Sequence, residues 1–186
     1  MSDDLWVAID FETATREPTS ACALGVALID GLDVVETASW LIRPPFNEYE
    51  FWNTHIHGIS AEDTELAPDF DELWWEIGPL LSGRKLLAHN ASFDMRVLSA
   101  LIDSRELTAP RYEYACTVTL ARRAMPQLAK HTLDTVCDHC GIRLVHHDAA
   151  SDAEACARVA VECARAVEAS SIDAACEALG VDVRSR

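Results

Sequence analysis

Acidic side chains stand at three points of the sequence where a regular element begins or ends. Asp10 and Glu12 follow the first apolar segment two residues apart, so the alternation of a strand sends both carboxylates to one face, where they could share a cation. Asp94 falls in the first turn of a predicted helix, whose amide dipole favours a carboxylate there. His147 and Asp152 flank the start of the last long helix. Ligands bind at strand ends in open α/β sheets, so we expect these groups to meet in one cleft.

The elements that position these residues can be read from hydrophobic periodicity and turn signals. The predicted strands are 5–10, 21–30, 34–43, 84–88 and 112–116, with a turn at Asp30-Gly31 between the second and third. The predicted helices are 92–101, 117–124, 132–140 and 149–167, the last with Asp148 as N-cap. A loop is predicted through Gly58, followed by helical segments capped at Ser60 and Asp69 that end near Gly83.

This order of elements predicts an α/β fold. A three-strand antiparallel meander followed by strand, helix, strand units gives a mixed five-stranded sheet, with two parallel strands added to the meander and helices on its faces. We place this domain at residues 1–169. Residues 170–186 are interpreted as a short C-terminal helical tail, with one helix from Ser171 to Leu179 closed by Gly180.

Together, the motifs resemble those of the DnaQ-like (DEDDh) 3′-to-5′ exonuclease superfamily, of which the exonuclease domain of the DNA polymerase III epsilon subunit is an example. The matching segments, in chain order, are Asp10-Phe11-Glu12-Thr13, His89-Asn90-Ala91-Ser92-Phe93-Asp94 and His147-Asp148-Ala149-Ala150-Ser151-Asp152. His57-Gly58-Ile59-Ser60 is similar to a loop of the same family. Of the doublet His146-His147, the H-x4-D spacing selects His147. The resemblance spans about residues 5 to 165.

The resemblance implies a ribonuclease H-like fold and hydrolysis of the 3′-terminal phosphodiester of a single strand to nucleoside monophosphates. It implies two divalent ions, Mg²⁺ or Mn²⁺, held by Asp10, Glu12, Asp94 and Asp152. Asp10 would bridge the ions, Glu12 and Asp152 would complete the ion beside the nucleophile, and Asp94 would serve the other. The chemistry agrees, because two like charges 4 Å apart repel by ~4 kcal/mol at an effective dielectric near 20, and hard oxygen ligands suit these cations.

The resemblance also assigns the remaining roles. His147 would be the general base, which suits an imidazole that titrates near neutrality. The residues expected at the terminal nucleotide are Phe11, Thr13, Ile59, His89, Asn90 and Phe93. For Phe11, core packing is the equal alternative, because its side chain faces away from the acids on the strand.

The composition limits where the protein can bind nucleic acid. Fifteen Lys+Arg against 31 Asp+Glu give a net charge of −16, which excludes a broadly basic binding surface. Bound cations reverse the local field, so a phosphodiester substrate stays compatible with this charge. We therefore expect weak, local contacts to the strand through arginines such as Arg16, Arg96, Arg122 and Arg123.

The sequence indicates a cytoplasmic protein that does not contact membranes. The longest apolar run, 21–29, is less than half the ~20 residues of a membrane span, and no leader pattern opens the chain. Seven cysteines, an odd number, favour reduced thiols. Among the tryptophans, Trp74 is expected in the core, Trp75 partly exposed, and Trp52 in the loop before them.

Two competing metal motifs and two alternative functions accompany the exonuclease hypothesis. Cys137 and Cys140 have a C-x2-C spacing, but no second pair follows, so a packing role is favoured over zinc. His55 and His57 resemble an HxH metal motif of amidohydrolases, but that motif needs a barrel of ~250 residues, which is longer than this chain, so it is set aside. Single-stranded DNA is the favoured substrate, with short RNA as the alternative, and a catalytically idle module that binds nucleic-acid ends or protein is the alternative from another class. A DNA polymerase or repair partner is left open.

Overall fold

The computed structural model describes residues 5–185. The strands are β1 (Leu5–Thr13), β2 (Ala21–Asp30), β3 (Asp33–Leu41), β4 (Lys85–Ala88), β5 (Glu113–Cys116) and β6 (Arg184–Ser185). The helices are α1 (Phe51–His57), α2 (Phe70–Leu81), α3 (Ser92–Ser104), α4 (Thr117–Ala124), α5 (Leu133–Cys140), α6 (Ala149–Ala166) and α7 (Ile172–Ala178). A turn of 3-10 helix lies at Pro45–Asn47.

The strands form one mixed sheet in the order β3-β2-β1-β4-β5-β6. β1, β2 and β3 are antiparallel, β4 lies parallel to β1, and β5 lies parallel to β4. This confirms the predicted α/β class and the meander with two parallel strands. The sheet has one strand more than expected, because the two-residue β6 pairs antiparallel with β5.

Helices cover both faces of the sheet, and β1 separates two hydrophobic cores. Trp6 and Ala8 point to the face covered by α4, α5, α6 and α7. Val7, Ile9 and Phe11 point to the face covered by α2 and α3. A strand buried on both faces reads as a continuous apolar run, which is why the start of β1 was recognisable from the sequence.

The region between the meander and α2 differs from the prediction. α1 occupies part of the expected loop, and none of its side chains is buried, so it carries no apolar stripe that periodicity could detect. No helix begins at Ser60, whose amide and hydroxyl donate to Asp63 in a run of turns. Asp69 caps α2 as expected, through a capping box with Glu72.

The C-terminal residues add to the edge of the sheet and to one core. Ile172 and Ala175 of α7 are buried beside α6, and the Lys85 ammonium lies 2.6 Å from an Asp173 carboxylate oxygen. The division of the chain at residue 169 stays a prediction.

The remaining composition-based expectations concern thiols, tryptophans and membrane spans. All seven cysteines are free thiols, as expected. Trp74 is half-buried against Phe70, whereas the Trp75 side chain is 88% exposed, and Trp52 lies in α1 and not in a loop. Over residues 5–185, none of the helices has the length and apolar character that crossing a bilayer requires.

Candidate active site

The end of β1 presents two of the predicted acids on one side of the sheet. Asp10 and Glu12 alternate with Phe11, whose side chain is 2% exposed in the opposite core. Core packing, the alternative weighed for the Phe11 ring, is therefore what the structure shows. A β-bulge between Glu12 and Thr13 ends the regular pairing with β2.

Asp94 reaches the same strand from the first turn of α3. Pairing between β1 and β4 ends at Ala8 and Leu87, so the next N–H groups on that side of β1 lack a strand partner. The Phe11 N–H donates to Asp94 Oδ1 at 3.0 Å. Asp94, 2% exposed, is thereby fixed to the backbone of the residue that separates Asp10 from Glu12.

Asp152 completes the cluster from the first turn of α6. Asp10, Glu12 and Asp152 each offer an oxygen, and these oxygens lie within 4.8 Å of one another. This approach depends on Gly25, the β2 partner of Asp10, because a Cβ at Gly25 would lie 1.8 Å from the Ala149 carbonyl oxygen. Glycine in β2 therefore allows the start of α6 to lie directly on the sheet beside Asp10.

Burial and mutual repulsion perturb the carboxylates. Desolvation first, and then the charges of Asp94, Asp152 and Glu12, raise the pKa of Asp10 well above its usual range. Burial, together with the charges of Asp152 and Asp94, raises the pKa of Glu12 to about 8. Burial raises the pKa of Asp94 to about 7, although the Phe11 N–H opposes the shift. A dense, buried, all-oxygen set of this kind fits hard divalent cations.

His147 lies at the mouth of the cluster. Its Nδ1 is 3.9 Å from Glu12 Oε1, and its backbone N–H donates to Asp152 Oδ2 at 2.8 Å. The backbone of His147 has a positive φ of 68°, which turns the loop into α6. Burial, followed by the neighbouring His146, lowers the pKa of the imidazole below its usual value, which favours the neutral ring.

His146 is the second member of the doublet. Its ring stacks on His147 at a centroid distance of 3.9 Å, and its Nδ1 lies 3.3 Å from Asp152 Oδ1. Among residues 5–185, His147 has an ion-pair-range contact to Glu12 and His146 has one to Asp152. The choice of His147 from the H-x4-D spacing stays a prediction.

A cleft of about 830 Å³ opens above the acids. Of the residues predicted at the terminal nucleotide, Phe11, Thr13, His89, Asn90 and Phe93 line it. Ile59 lies outside this lining, whereas Ile56 belongs to it. The roles assigned to all of these residues stay predictions.

Two side chains that the sequence left unassigned hold the wall of the cleft. His57 accepts from the Ile59 N–H at Nδ1 and lies 3.2 Å from the Thr13 carbonyl through Nε2. Asn53 donates to the same carbonyl at 2.8 Å. Both side chains hold α1 against the end of β1. The only indication of this in the sequence was the similarity of the loop at His57 to a loop of the family.

His89 holds the opposite wall. Its ring lies 2.9 Å from Thr117 Oγ1 and 3.0 Å from the His131 carbonyl oxygen. Burial lowers the pKa of His89 to about 4, so the neutral ring donates to the carbonyl and accepts from the hydroxyl. His89 therefore fixes the loop that carries Lys130.

The competing metal motifs are not assembled. Within the described part of the chain, the groups of potential ligands that come together are Asp10-Glu12-Asp152 and His146-His147-Asp152, and neither contains a cysteine. Cys137 is buried and Cys140 contacts Met125, as expected for packing residues. His55 stacks on Phe51 and does not join His57 in a ligand set.

Comparisons with known proteins agree with this geometry. A family model described as an exonuclease, RNase_T, matches residues 7–160. A DNA polymerase III PolC-type of Oceanobacillus iheyensis is 30% identical over 159 residues, which are 82% of this chain but only 11% of the relative.

Two solved structures share the fold. Exonuclease X in complex with 5′ overhanging duplex DNA gives a TM-score of 0.73 at 21% identity, over 91% of this chain and 99% of that one. The nuclease domain of 3′hExo, a DEDDh family member, bound to rAMP, gives 0.75 at 16% identity, over 97% and 96%. Because the family model covers most of its length, the chain belongs to the exonuclease family, within the DnaQ-like superfamily of 3′-to-5′ exonucleases.

Proposed function

We propose that this exonuclease removes nucleoside monophosphates from the 3′ ends of single-stranded DNA, using two divalent ions, Mg²⁺ or Mn²⁺. One observation carries the proposal. Asp10, Glu12 and Asp152 bring carboxylate oxygens within 4.8 Å of one another, at a cleft of a size usual for small-molecule binding.

The clustered carboxylates suit bound divalent ions, because without such ions their negative charges would lie side by side and repel one another. Asp10, Glu12 and Asp152 would hold them directly, and Asp94, fixed by the Phe11 N–H, would complete the set. When bound, such ions neutralise the charge that grows on the phosphate and hold the attacking and leaving oxygens in line. Besides these carboxylates, the cleft is lined by imidazoles, by neutral polar and apolar side chains, and by the basic residues Arg122 and Lys130.

His147 is proposed as the general base. The neutral imidazole lines the cleft beside Glu12 and can accept a proton from the attacking water as the new P–O bond forms. The P–O3′ bond then breaks, and the leaving oxygen takes a proton from solvent. The products are a nucleoside 5′-monophosphate and a strand that is one nucleotide shorter and ends in a 3′ hydroxyl.

The terminal nucleotide is proposed to lie between β1 and α3. Thr13 and Phe93 line this part of the cleft, and the half-buried Phe93 ring offers a flat face to a base. Asn90, which is exposed and has a positive φ of 73°, places its amide beside them. Ile59 does not line the cleft and would contribute to the nucleotide site from behind the residues that do.

DNA is proposed as the substrate because the PolC-type relative is a DNA polymerase, and a polymerase or repair protein is proposed as a partner on the same ground. The test is digestion of matched DNA and RNA oligomers with Mn²⁺ or Mg²⁺, with products identified by mass and Asp10→Asn as the inactive control. We expect deoxynucleoside monophosphates released one at a time, and none when the ions are chelated. Faster release from RNA would reassign the substrate to short RNA, and intact oligomers in every arm would refute the proposal.

A further inference from the structure

An exposed apolar strip runs along α1 from the cleft to the molecular surface. Trp52 and Ile56 stand four residues apart, on one side of the helix, and their side chains are 64% and 54% exposed. Ile56 lines the catalytic cleft together with Asn53 and His57 of the same helix. Trp52 lies one turn before Ile56 and outside the cleft lining, so the strip extends from the edge of the cleft onto the surface.

The Trp52 ring is supported by its neighbours. Phe51 meets it edge-on at a centroid distance of 5.3 Å, and His55 does so at 6.4 Å. The Phe51 and His55 rings are in turn nearly parallel, 12° apart. Three clustered rings on a short exposed helix form a surface that water solvates poorly, and such surfaces commonly mark a binding site.

The wall facing α1 across the cleft is basic. Arg122, in the last turn of α4, and Lys130, on the loop fixed by His89, both line the cleft and are exposed. Neither forms an ion pair with an acid anywhere in residues 5–185, in a chain whose net charge is −16. Arg123, by contrast, donates to the carbonyls of Leu179 and Gly180.

We propose that the cleft binds the single strand beyond its terminal nucleotide, with the bases of the next nucleotides on the Trp52–Ile56 strip and their phosphates toward Arg122 and Lys130. A single strand presents base faces on one side and charged phosphates on the other, so an apolar wall opposite a basic wall matches its two sides. An aromatic ring can stack on any base, which an exonuclease that degrades strands of mixed sequence requires. This inference rests on the proposed function, because it extends the path of the same substrate.

The first test compares a DNA dinucleotide with a DNA 10-mer. Trp52→Ala is expected to lower kcat/KM on the 10-mer about 5- to 150-fold, through KM, because one stacked base is lost. The dinucleotide has only one base beyond the terminal nucleotide, which is expected at Ile56, at the cleft end of the strip, so Trp52→Ala should hydrolyse it as the wild type does. Trp75→Ala, which removes the exposed tryptophan of α2, is the matched control and should leave both substrates unaffected, whereas Trp52→Phe should restore most of the loss.

The second test measures binding without turnover. The anisotropy of a 5′-labelled DNA 10-mer, with Ca²⁺ in place of Mg²⁺, gives Kd as a function of salt. Arg122→Gln or Lys130→Gln should each reduce the slope of log K against log salt by about 0.7, as expected for one single-strand phosphate. Arg165→Gln, at a residue paired with Glu162 on α6, should leave the slope unchanged.

The outcomes separate this inference from the proposed function. Equal loss on the dinucleotide and the 10-mer, or equal effects of Trp52→Ala and Trp75→Ala, would overturn the strand path and leave the exonuclease proposal intact. If the wild type hydrolyses neither substrate, the proposed function fails, and the binding assay still decides the path: an unchanged Kd for Trp52→Ala refutes it, and a Kd raised several-fold supports it.

Discussion

Neutralising one acid of the cluster should make the protein more stable than the wild type when metal is absent and less stable than the wild type when metal is present. Glu12→Gln keeps the shape of the side chain and removes its charge. In the folded state the pKa of Glu12 is about 8, against an ordinary value of 4.5. The folded state therefore retains a proton that the unfolded state releases, and the free energy of unfolding falls as pH rises between these two values.

The magnitude follows from the width of this interval. A pKa unit corresponds to about 1.4 kcal/mol. Between about pH 5.5 and pH 8, the free energy of unfolding of the wild type therefore falls by about 3 kcal/mol more than that of Glu12→Gln. In a chain of this size that is about 6 to 12 °C in Tm. The Glu12 charge also raises the pKa of Asp10, so removing that charge eases the ionisation of Asp10 as well.

The assay is chemical unfolding of both proteins with the divalent ions chelated, at the two pH values. Histidines and cysteines that titrate over the same range are common to both proteins, so the difference between them isolates Glu12. Adding Mg²⁺ or Mn²⁺ at about 100 times its Kd should stabilise the wild type by about 2.7 kcal/mol and the variant by much less. If Glu12→Gln is destabilised equally at both pH values, or if the ions do not stabilise the wild type, the electrostatic account of the site is wrong.

Four further outcomes are expected. His147→Ala should remove most of the turnover and leave the stabilisation by Mn²⁺ intact, measured by oligomer digestion beside thermal unfolding; near-normal turnover would reject the role of base. Because the pKa of His147 is lowered from 6.5, kcat/KM should fall with acidification only below about pH 6.5, and a profile that is flat down to about pH 5 would contradict proton transfer to this imidazole. Cys137→Ser with Cys140→Ser should leave the metal content measured by mass spectrometry unchanged, whereas loss of bound zinc would restore the zinc hypothesis. Gly25→Ala should lower both Tm and activity.

The strands and the three acidic motifs were predictable because each has a local signal. Asp10 and Glu12 directly follow a run that is buried on both faces, and alternation fixes their shared side. Asp94 and Asp152 lie in the first turns of helices, where capping and dipole preferences are strong. Local chemistry and order along the chain were therefore sufficient for the fold class and for placing the acids at the ends of these elements, whereas their roles as metal ligands stay predictions.

The walls of the cleft were not predictable in the same way. α1 has no buried face, so its side chains follow no periodic pattern, and its place is fixed by hydrogen bonds from Asn53 and His57 to one carbonyl of β1. These contacts join residues about 40 positions apart. Trp52, expected in a loop without a role, becomes part of a surface only through the placement of α1.

The distance between Asp10 and Asp152 depends on a residue with no chemistry of its own. A Cβ at Gly25 would overlap the Ala149 carbonyl oxygen, which belongs to the α6 backbone and cannot rotate away as a side chain can. Relief of that overlap moves the start of α6, and hence Asp152, away from the sheet by about 1 Å or more, a displacement that can cost catalysis 100-fold. Gly78→Ala is the matched comparison, because its Cβ would meet only the Trp74 ring, at 3.1 Å, a side chain able to shift. Activity lost in Gly25→Ala and kept in Gly78→Ala would show that the spacing of the acids is set by the packing of α6 on β2, whereas equal activity in the two variants would show that the acids find their geometry without it.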